Sequence, residues 1–259
     1  MSTSNNSGAS NTGAVALVTG AGGGIGRAAA RRFAQAGYRV ALADLDAATA
    51  EQTAQTLRDE GHDARAYALD VGNSTQVETV MQQLRTHYGR LDAAFNNAGA
   101  SSLRAPLADT DDADWMRVLN TNLTGTFLCM KQEIRWMLEQ GRGCIVNNGS
   151  VFGLGGSVSA AYTASKHGIA GLTRSAAISY AGRGLRINAV CPGLIDAGMG
   201  ARFLERASSA EIEATLALHP AGRSGTPEEV ADAVIWLCSD EARYIHGHLL
   251  PIDGGYRAR

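Results

Sequence analysis

Lysine is almost missing from this chain. Of its 23 basic residues only Lys131 and Lys166 are lysine, and the other 21 are arginine. Basic excess is missing too. A net charge of −2 and a pI near 6.3 exclude the usual nucleic-acid binder, which carries a positive face. Proline is scarce, 5 residues against 31 glycines, and no glycine period runs along the chain. That excludes a proline-rich disordered chain and a collagen-like one. The four cysteines (Cys129, Cys144, Cys191, Cys238) are far apart and form no C-x-x-C pair. Scattered buried thiols in a reducing cytosol are expected, with neither a disulfide framework nor a zinc site. Among six histidines, His246 and His248 would share one face of a strand. They read as ordinary residues near a strand start, and no metal site is expected. No apolar run approaches the roughly 20 residues of a membrane span. The first 13 residues, MSTSNNSGASNTG, hold no basic n-region and no apolar h-region. They are expected to be a disordered tail over residues 1–12 rather than a signal peptide, and a cytoplasmic location is expected.

What is present is an alternation. Short apolar, β-branched runs fall at Ala14–Thr19, Tyr38–Ala43, Ala64–Leu69, Leu91–Phe95, Cys144–Asn148, Leu185–Cys191 and His248–Ile252. Helical patterns fill the gaps, at Ile25–Ala36, Ala47–Glu60, Thr75–Tyr88, Asp112–Gln140, Ala160–Ala181 and Pro227–Ser239. Near-continuously apolar strands separated by helices imply a parallel sheet covered on both faces. Right-handed crossovers then give an α/β, Rossmann-type, doubly wound sheet of about seven strands in one domain, residues 13–259. One stretch breaks the alternation. Residues 194–223 are too long for a simple connection and are expected to be partly helical over Ala201–Leu218, as a lid over a site.

The first strand runs into Thr19-Gly20-Ala21-Gly22-Gly23-Gly24-Ile25-Gly26 and then a helix. Bare backbone there lets the chain turn tightly and approach a pyrophosphate, and the helix N-terminus offers N–H groups and positive dipole to it. A glycine-rich turn alone is a weak signal. Its context strengthens it, because Asp44 ends the next strand 18 residues past Gly26. A carboxylate at that place accepts from both ribose hydroxyls of an adenosine and repels a 2′-phosphate. Gly23 precedes Gly24 and Leu45 follows Asp44, so no base compensates. NAD is therefore favoured over NADP. Arg27 is expected to point to solvent, and Asp46 fits a helix N-cap better than Asp44 does.

Tyr162 and Lys166 stand four residues apart, on one face of a helix. An ammonium beside a phenol favours the phenolate, and a lowered Tyr162 pKa is expected. The pair follows a serine-bearing strand end, Asn147-Asn148-Gly149-Ser150. With these residues in view, the chain resembles the short-chain dehydrogenases/reductases of the single-domain, roughly 250-residue branch. Thr19–Gly26 matches the family's T-G-x-x-x-G-x-G turn, Asp70-Val71 the pair beside the adenine, and Asn96-Asn97-Ala98-Gly99 its N-N-A-G. Asn122 matches the asparagine that holds a relay water, and Ser150, Tyr162 and Lys166 complete that tetrad. Pro192-Gly193 and Asp253-Gly254-Gly255 match two further turns. Any one of these motifs is weak, but seven in the correct order are very specific.

The resemblance implies a mechanism and a set of contacts. Tyr162 exchanges the proton of the reacting alcohol or ketone, Ser150 holds its oxygen, Lys166 tunes Tyr162 and fixes the ribose, and Asn122 links Lys166 to solvent. The cofactor set is Gly20, Gly22, Gly24, Ile25, Gly26, Asp44, Leu45, Asp70, Val71, Asn97, Ala98, Gly99, Tyr162, Lys166, Pro192, Gly193 and Ile195. A homotetramer is expected, with no nucleic acid and no membrane as partner. The chain departs from its relatives in three places. Ser150 and Tyr162 are 12 residues apart, about one fewer than is common. Gly149 stands where a second serine is commoner. Ala197 replaces the usual threonine beside the carboxamide. Leu103, Phe152, Leu154, Val158, Met199, Phe203 and Leu204 supply an apolar substrate wall, which points to a small or medium secondary alcohol or ketone. The competing readings are an NADPH-dependent carbonyl or 3-oxoacyl reductase and, from another class, a non-catalytic dinucleotide-binding regulator.

Overall fold

The computed structural model describes residues 13–259, and the tail expected over residues 1–12 lies outside them. Seven strands form one sheet: β1 (Val15–Thr19), β2 (Arg39–Asp44), β3 (Ala64–Ala68), β4 (Ala93–Asn96), β5 (Gly143–Asn148), β6 (Leu185–Pro192) and β7 (Leu249–Ile252). Their order is β3-β2-β1-β4-β5-β6-β7, and every pairing is parallel. The fold class is the one expected from the alternation. Side chains leave a strand on alternate faces, and β1 shows the consequence. Ala16 and Val18 enter one core layer, while Val15 and Leu17 enter the other.

The first layer lies under α1 (Gly24–Gln35), α2 (Ala47–Asp59) and α9 (Pro227–Cys238). The second lies under α3 (Ser74–Tyr88), α5 (Gly125–Gln140) and α6 (Ala160–Tyr180). Local chemistry sets the helix ends. Asp46 caps α2, accepting from the Ala48 and Thr49 amides, as the sequence reading had it. Thr226 and Glu229 close a capping box on α9, with Pro227 at its first position. Gly89 and Gly141 end α3 and α5 in left-handed backbone.

Two expected elements differ. The helix expected over Asp112–Gln140 is α4 (Asp112–Leu119) and α5, joined by a π-helical turn at Asn120–Thr124. The turn arises because the Gly125 amide reaches back five residues to the Asn120 carbonyl. The segment expected to be helical over Ala201–Leu218 is two short helices, α7 (Met199–Arg206) and α8 (Ser209–Ala217). Ser208 separates them, because its side chain and Glu211 form a capping box that starts a new helix.

Candidate active site

The carboxyl ends of parallel strands form the crevice in which open α/β sheets bind ligands. Here β1 ends at Thr19, β2 at Asp44, β4 at Asn96, β5 at Asn148 and β6 at Pro192. The expected site residues therefore gather along one edge. Lys166, on α6, is buried, and its Nζ donates to the Asn148 carbonyl at 2.7 Å. Asn148 Nδ2 donates to Asn97 Oδ1 at 2.8 Å. Asn97 in turn donates from Nδ2 to the Thr19 carbonyl at 3.0 Å and the Gly20 carbonyl at 3.1 Å. Thr19 Oγ1 accepts from the Asn97 and Ala98 amides, both at 3.0 Å. One chain of hydrogen bonds thus ties the glycine loop to Lys166. Sequence reading missed Thr19 and Asn148 as members of this chain. Their places at the last residue of β1 and of β5 are the signal that could have found them.

Tyr162 lies one turn before Lys166 on α6, and the Lys166 Nζ stands 5.4 Å from the centre of its ring. Ser150 is buried, accepts from the Phe152 amide at 3.1 Å and lies close enough to Tyr162 to favour its phenolate. The electrostatics correct one expectation. Burial pushes the Tyr162 phenol up to about 12, offset in part by the nearby Ser150 hydroxyl and raised slightly by Cys191. Burial pushes Lys166 down to about 8, against a smaller opposing effect from Cys191. Desolvation is the largest effect on both groups, so the phenol is raised despite its neighbour.

Asn122 sits fully buried in the π-helical turn. Its Oδ1 accepts from the Ala100 amide at 2.7 Å, and its Nδ2 donates to the Ala100 carbonyl at 3.0 Å and to Ser165 Oγ at 3.1 Å. The side chain is thus spent on clamping the Gly99–Ala100 backbone and α6. Asp114 and Arg117 of α4 extend the clamp, holding the Leu103 amide and the Ser101 carbonyl.

The glycine loop has the shape a pyrophosphate cradle needs. A Cβ on Gly26 would lie 2.0 Å from the Gly20 carbonyl oxygen, and one on Gly22 would lie 2.1 Å from Thr49 Oγ1. No side chain caps the N-terminus of α1, so its first amides face the cleft without a capping oxygen. Asp44 Oδ2 accepts from the Gly22 amide at 2.8 Å, and Oδ1 from the Asp46 amide at 3.0 Å, which pins the carboxylate beside the loop. Arg27 is exposed as expected, yet its guanidinium folds back to the Gly22 carbonyl at 2.6 Å. Leu45 is largely exposed at the rim, whereas Val71 packs into the core beside Gly125. Asp70 accepts from the Gly72 amide at 2.9 Å. On the other side of the cleft the Gly193 amide donates to the Ile252 carbonyl, and Ile195 is buried. The residues present fit a dinucleotide.

Comparison with known proteins bears on the same residues. Residues 20–257 match the family described as "Enoyl-(Acyl carrier protein) reductase". A cis-4-hydroxycyclohexanecarboxylate dehydrogenase of Sinomonas cyclohexanicum is 43% identical over 246 residues, 94% of this chain and 96% of that protein. The 2-(S)-hydroxypropyl-CoM dehydrogenase 3 of Xanthobacter autotrophicus is 42% identical over 247 residues, again 94% of this chain and 96% of the relative. The solved structure of a levodione reductase superposes with a TM-score of 0.92 at 34% identity, covering 95% of this chain and 98% of the other. The chain belongs to the short-chain dehydrogenase/reductase family. Membership makes it an oxidoreductase acting on CH–OH groups, the secondary alcohols and their ketones, with a nicotinamide dinucleotide as cofactor. Among the described residues no helix is long and apolar enough to cross a membrane, and no cluster of three His, Cys, Asp or Glu could hold a metal ion.

Within the short-chain dehydrogenase/reductase frame, a second set of residues escaped sequence reading. His219 is buried between Leu194, whose amide donates to its Nε2 at 3.4 Å, and the Thr215 carbonyl, 2.9 Å from its Nδ1. It therefore fastens the end of α8 to the turn after Pro192-Gly193. The Tyr256 ring lies 5.0 Å from His219 and 6.4 Å from Phe152. The C-terminal turn thereby joins the lid to the loop after Ser150. No motif marks His219, because only the fold brings residues 152, 194, 219 and 256 together.

Proposed function

We propose that the protein is an NAD(H)-dependent dehydrogenase that interconverts an alicyclic or similarly apolar secondary alcohol and its ketone. The observation that carries this reading is Tyr162 one turn before the buried Lys166, next to the buried Ser150, on the same strand-end edge as a cradle of bare glycine backbone. A bound nicotinamide dinucleotide supplies the site where hydride is accepted or given. The chain does the rest. Ser150 and Tyr162 hold the reacting oxygen between two hydroxyls. Tyr162, raised toward 12, holds its proton at neutral pH and so serves as the acid for ketone reduction; as a base for alcohol oxidation it gains with rising pH. Lys166 offers its ammonium to a ribose, anchored from behind by the Asn148 carbonyl. Asn122 positions rather than touches the chemistry, through Ala100 and Ser165.

Two arguments support NAD over NADP. The Asp44 carboxylate is fixed beside Gly22, where an added phosphate would meet a negative charge. A nearby cation, Arg27, has its guanidinium turned onto the Gly22 carbonyl. The substrate reading rests on the cleft mouth, where Leu103, Val158, Met199 and Leu218 are exposed apolar residues. A relative 43% identical is named for a hydroxycyclohexanecarboxylate, whose alicyclic ring is in keeping with such a wall. The deciding assay compares NAD with NADP across cyclic, aliphatic and sugar alcohols. The expected result is NAD reduction with the cyclic alcohols and at least a tenfold lower kcat/KM with NADP. Asp44→Ser should narrow that gap, and an NADPH preference in the unmodified protein would overturn the reading of Asp44. We also read the exposed face formed by Leu123, Phe127, Gly168, Gly171 and Leu172, a groove of about 390 Å³, as a contact with a second copy of the chain in a homotetramer.

A further inference from the structure

Three stretches follow the strand ends on the β5–β6 side of the sheet: the loop after Ser150, the turn after β6, and the lid that ends near residue 223. One short turn, residues 253–257 after β7, is bonded to all of them. At its root the Ile252 carbonyl accepts from the Gly193 amide at 3.0 Å, which fastens the turn after β6. The Gly254 carbonyl accepts from the Ala221 amide at 2.9 Å, which fastens the end of the lid. Arg257 donates from Nη2 to the Leu154 carbonyl at 2.7 Å, which fastens the loop after Ser150.

The turn is well anchored, and the loop is not. β7 is paired with β6 in the sheet. Asp253 Oδ1 accepts from the Gly255 amide at 3.0 Å and Oδ2 from the Arg257 amide at 2.9 Å, so one carboxylate folds the turn and aims Arg257 at the loop. The loop begins with a single 3₁₀ turn, Val151–Gly153, after which Leu154 rests on Ala170 and Leu249. Among the described residues no side chain other than Arg257 donates to a carbonyl of residues 151–156. Gly155 lies against that tether, and a Cβ there would collide with the Arg257 guanidinium.

We propose that Arg257 is a specificity-determining residue for the alcohol, a role that rests on the dehydrogenase reading above. By holding the Leu154 carbonyl it keeps the Phe152 and Leu154 wall drawn toward the turn after β7 and the lid end. The wall then limits the bulk of the alcohol that reaches Ser150 and Tyr162. Arg257 acts through this wall and not on the reacting oxygen. Released from it, the loop gives way at Gly155 and Gly156, which have no side chains to pack. Bulky alcohols gain from the wider cleft, and small ring alcohols lose the close wall that holds them in position.

The test compares the unmodified protein with Arg257→Ala and Gly155→Ala, using NAD with cyclohexanol and with decalol, its fused bicyclic analogue. Arg257→Ala should lower the kcat/KM preference for the smaller ring about three- to tenfold, through KM and with the dissociation constant for NAD unchanged. Gly155→Ala keeps the charge but displaces the guanidinium. It should shift the preference the same way, and adding it to Arg257→Ala should change nothing more. Arg257→Lys, which keeps a cation and a donor, should restore part of the preference. In the protein without ligands, amide hydrogen exchange should quicken at residues 152–156 in Arg257→Ala and stay the same at residues 20–26. An unchanged preference, or an equal loss with both alcohols, would overturn the role in specificity. Unchanged exchange at residues 152–156 would overturn the tether itself. If the unmodified protein oxidised neither these nor any other alcohol, the dehydrogenase reading would fall and the specificity role with it, while exchange would still decide the tether.

Discussion

Tyr162 and Lys166 each move away from their charged form, and this has a direct kinetic consequence. With the phenol near 12, the proton that must leave Tyr162 in oxidation leaves more readily as pH rises. With Lys166 near 8, its ammonium is complete at pH 7 and fades above pH 8. Alcohol oxidation should therefore climb from pH 7 to pH 9 and then flatten, while ketone reduction should be fastest near neutrality; initial rates in both directions across that range are the check. Tyr162→Phe removes the exchangeable proton and leaves the ring in place. It should lower kcat about 10²–10⁴-fold with the dissociation constant for NAD within a few-fold of the original. Loss of NAD binding to the same extent would show Tyr162 to be structural instead. These two residues were legible in the sequence because four-residue spacing on a helix fixes a shared face. Their proton affinities were not, since the dominant cause is desolvation, which depends on what the rest of the fold packs around them. Ala197 illustrates the same division. Its identity was plain as a missing hydroxyl, but its position, facing Gly24 across the cleft, came only from the fold.

Helix α5 carries the least expected group in the molecule, the fully buried Glu133. Asn96 of β4 donates to its Oε2 at 2.9 Å and to Asn147 Oδ1 at 3.1 Å, and Asn147 donates to Thr173 Oγ1 at 2.9 Å. Glu133 Oε1 and Asn96 Oδ1, both buried, lack a partner. Burial pushes the Glu133 carboxyl up to about 7 from 4.5, with the Asn96 hydrogen bond opposing. The native protein therefore holds this proton more tightly than the unfolded chain does. The resulting stability is full below pH 4.5 and is lost as pH rises through 7, an effect of at most about 3 kcal/mol. Glu133→Gln keeps an acceptor for Asn96 and adds a donor. It should raise the melting temperature at pH 8 and do little at pH 4.5, as thermal unfolding at the two values would reveal; an equal shift at both would rule out titration. At this scale the sequence revealed strands and helix types through periodicity. It did not reveal the π-helical turn at Asn120–Thr124 or the break at Ser208, because both depend on local hydrogen bonds that an apolar pattern does not record. Glu133 was invisible for a related reason. On a helix wheel it is one more charged residue, and only packing against β4 and β5 puts it inside.

For the whole molecule, the doubly wound parallel sheet and the residues that carry chemistry followed from alternation and from motifs in sequence, while strand order and assembly did not. Motifs record what a cofactor requires, and a protein–protein face records only that something apolar is left outside. On α5 and α6 that remainder is specific. Gly168 lets α6 approach Leu123 so closely that a Cβ would meet a Leu123 methyl carbon at 2.7 Å. Beside it Phe127 is 46% exposed over the groove with Gly171 and Leu172. A large aromatic side chain left in water beside bare glycine backbone loses apolar burial that a second copy would restore, at about 25 cal/mol per Å² covered. A C₂-related partner would place its own Phe127 against the same groove, since such an interface uses one patch twice. Phe127→Glu would set two carboxylates facing each other across that axis and remove both aromatic rings. Light scattering on a sizing column should then show the assembly falling to a smaller species, while the circular dichroism of the chain stays unchanged. Because none of the proposed cofactor contacts lines that groove, NAD binding should survive in the smaller species. An assembly of unaltered mass would mean that the groove on α5 and α6 is not where copies of this chain meet.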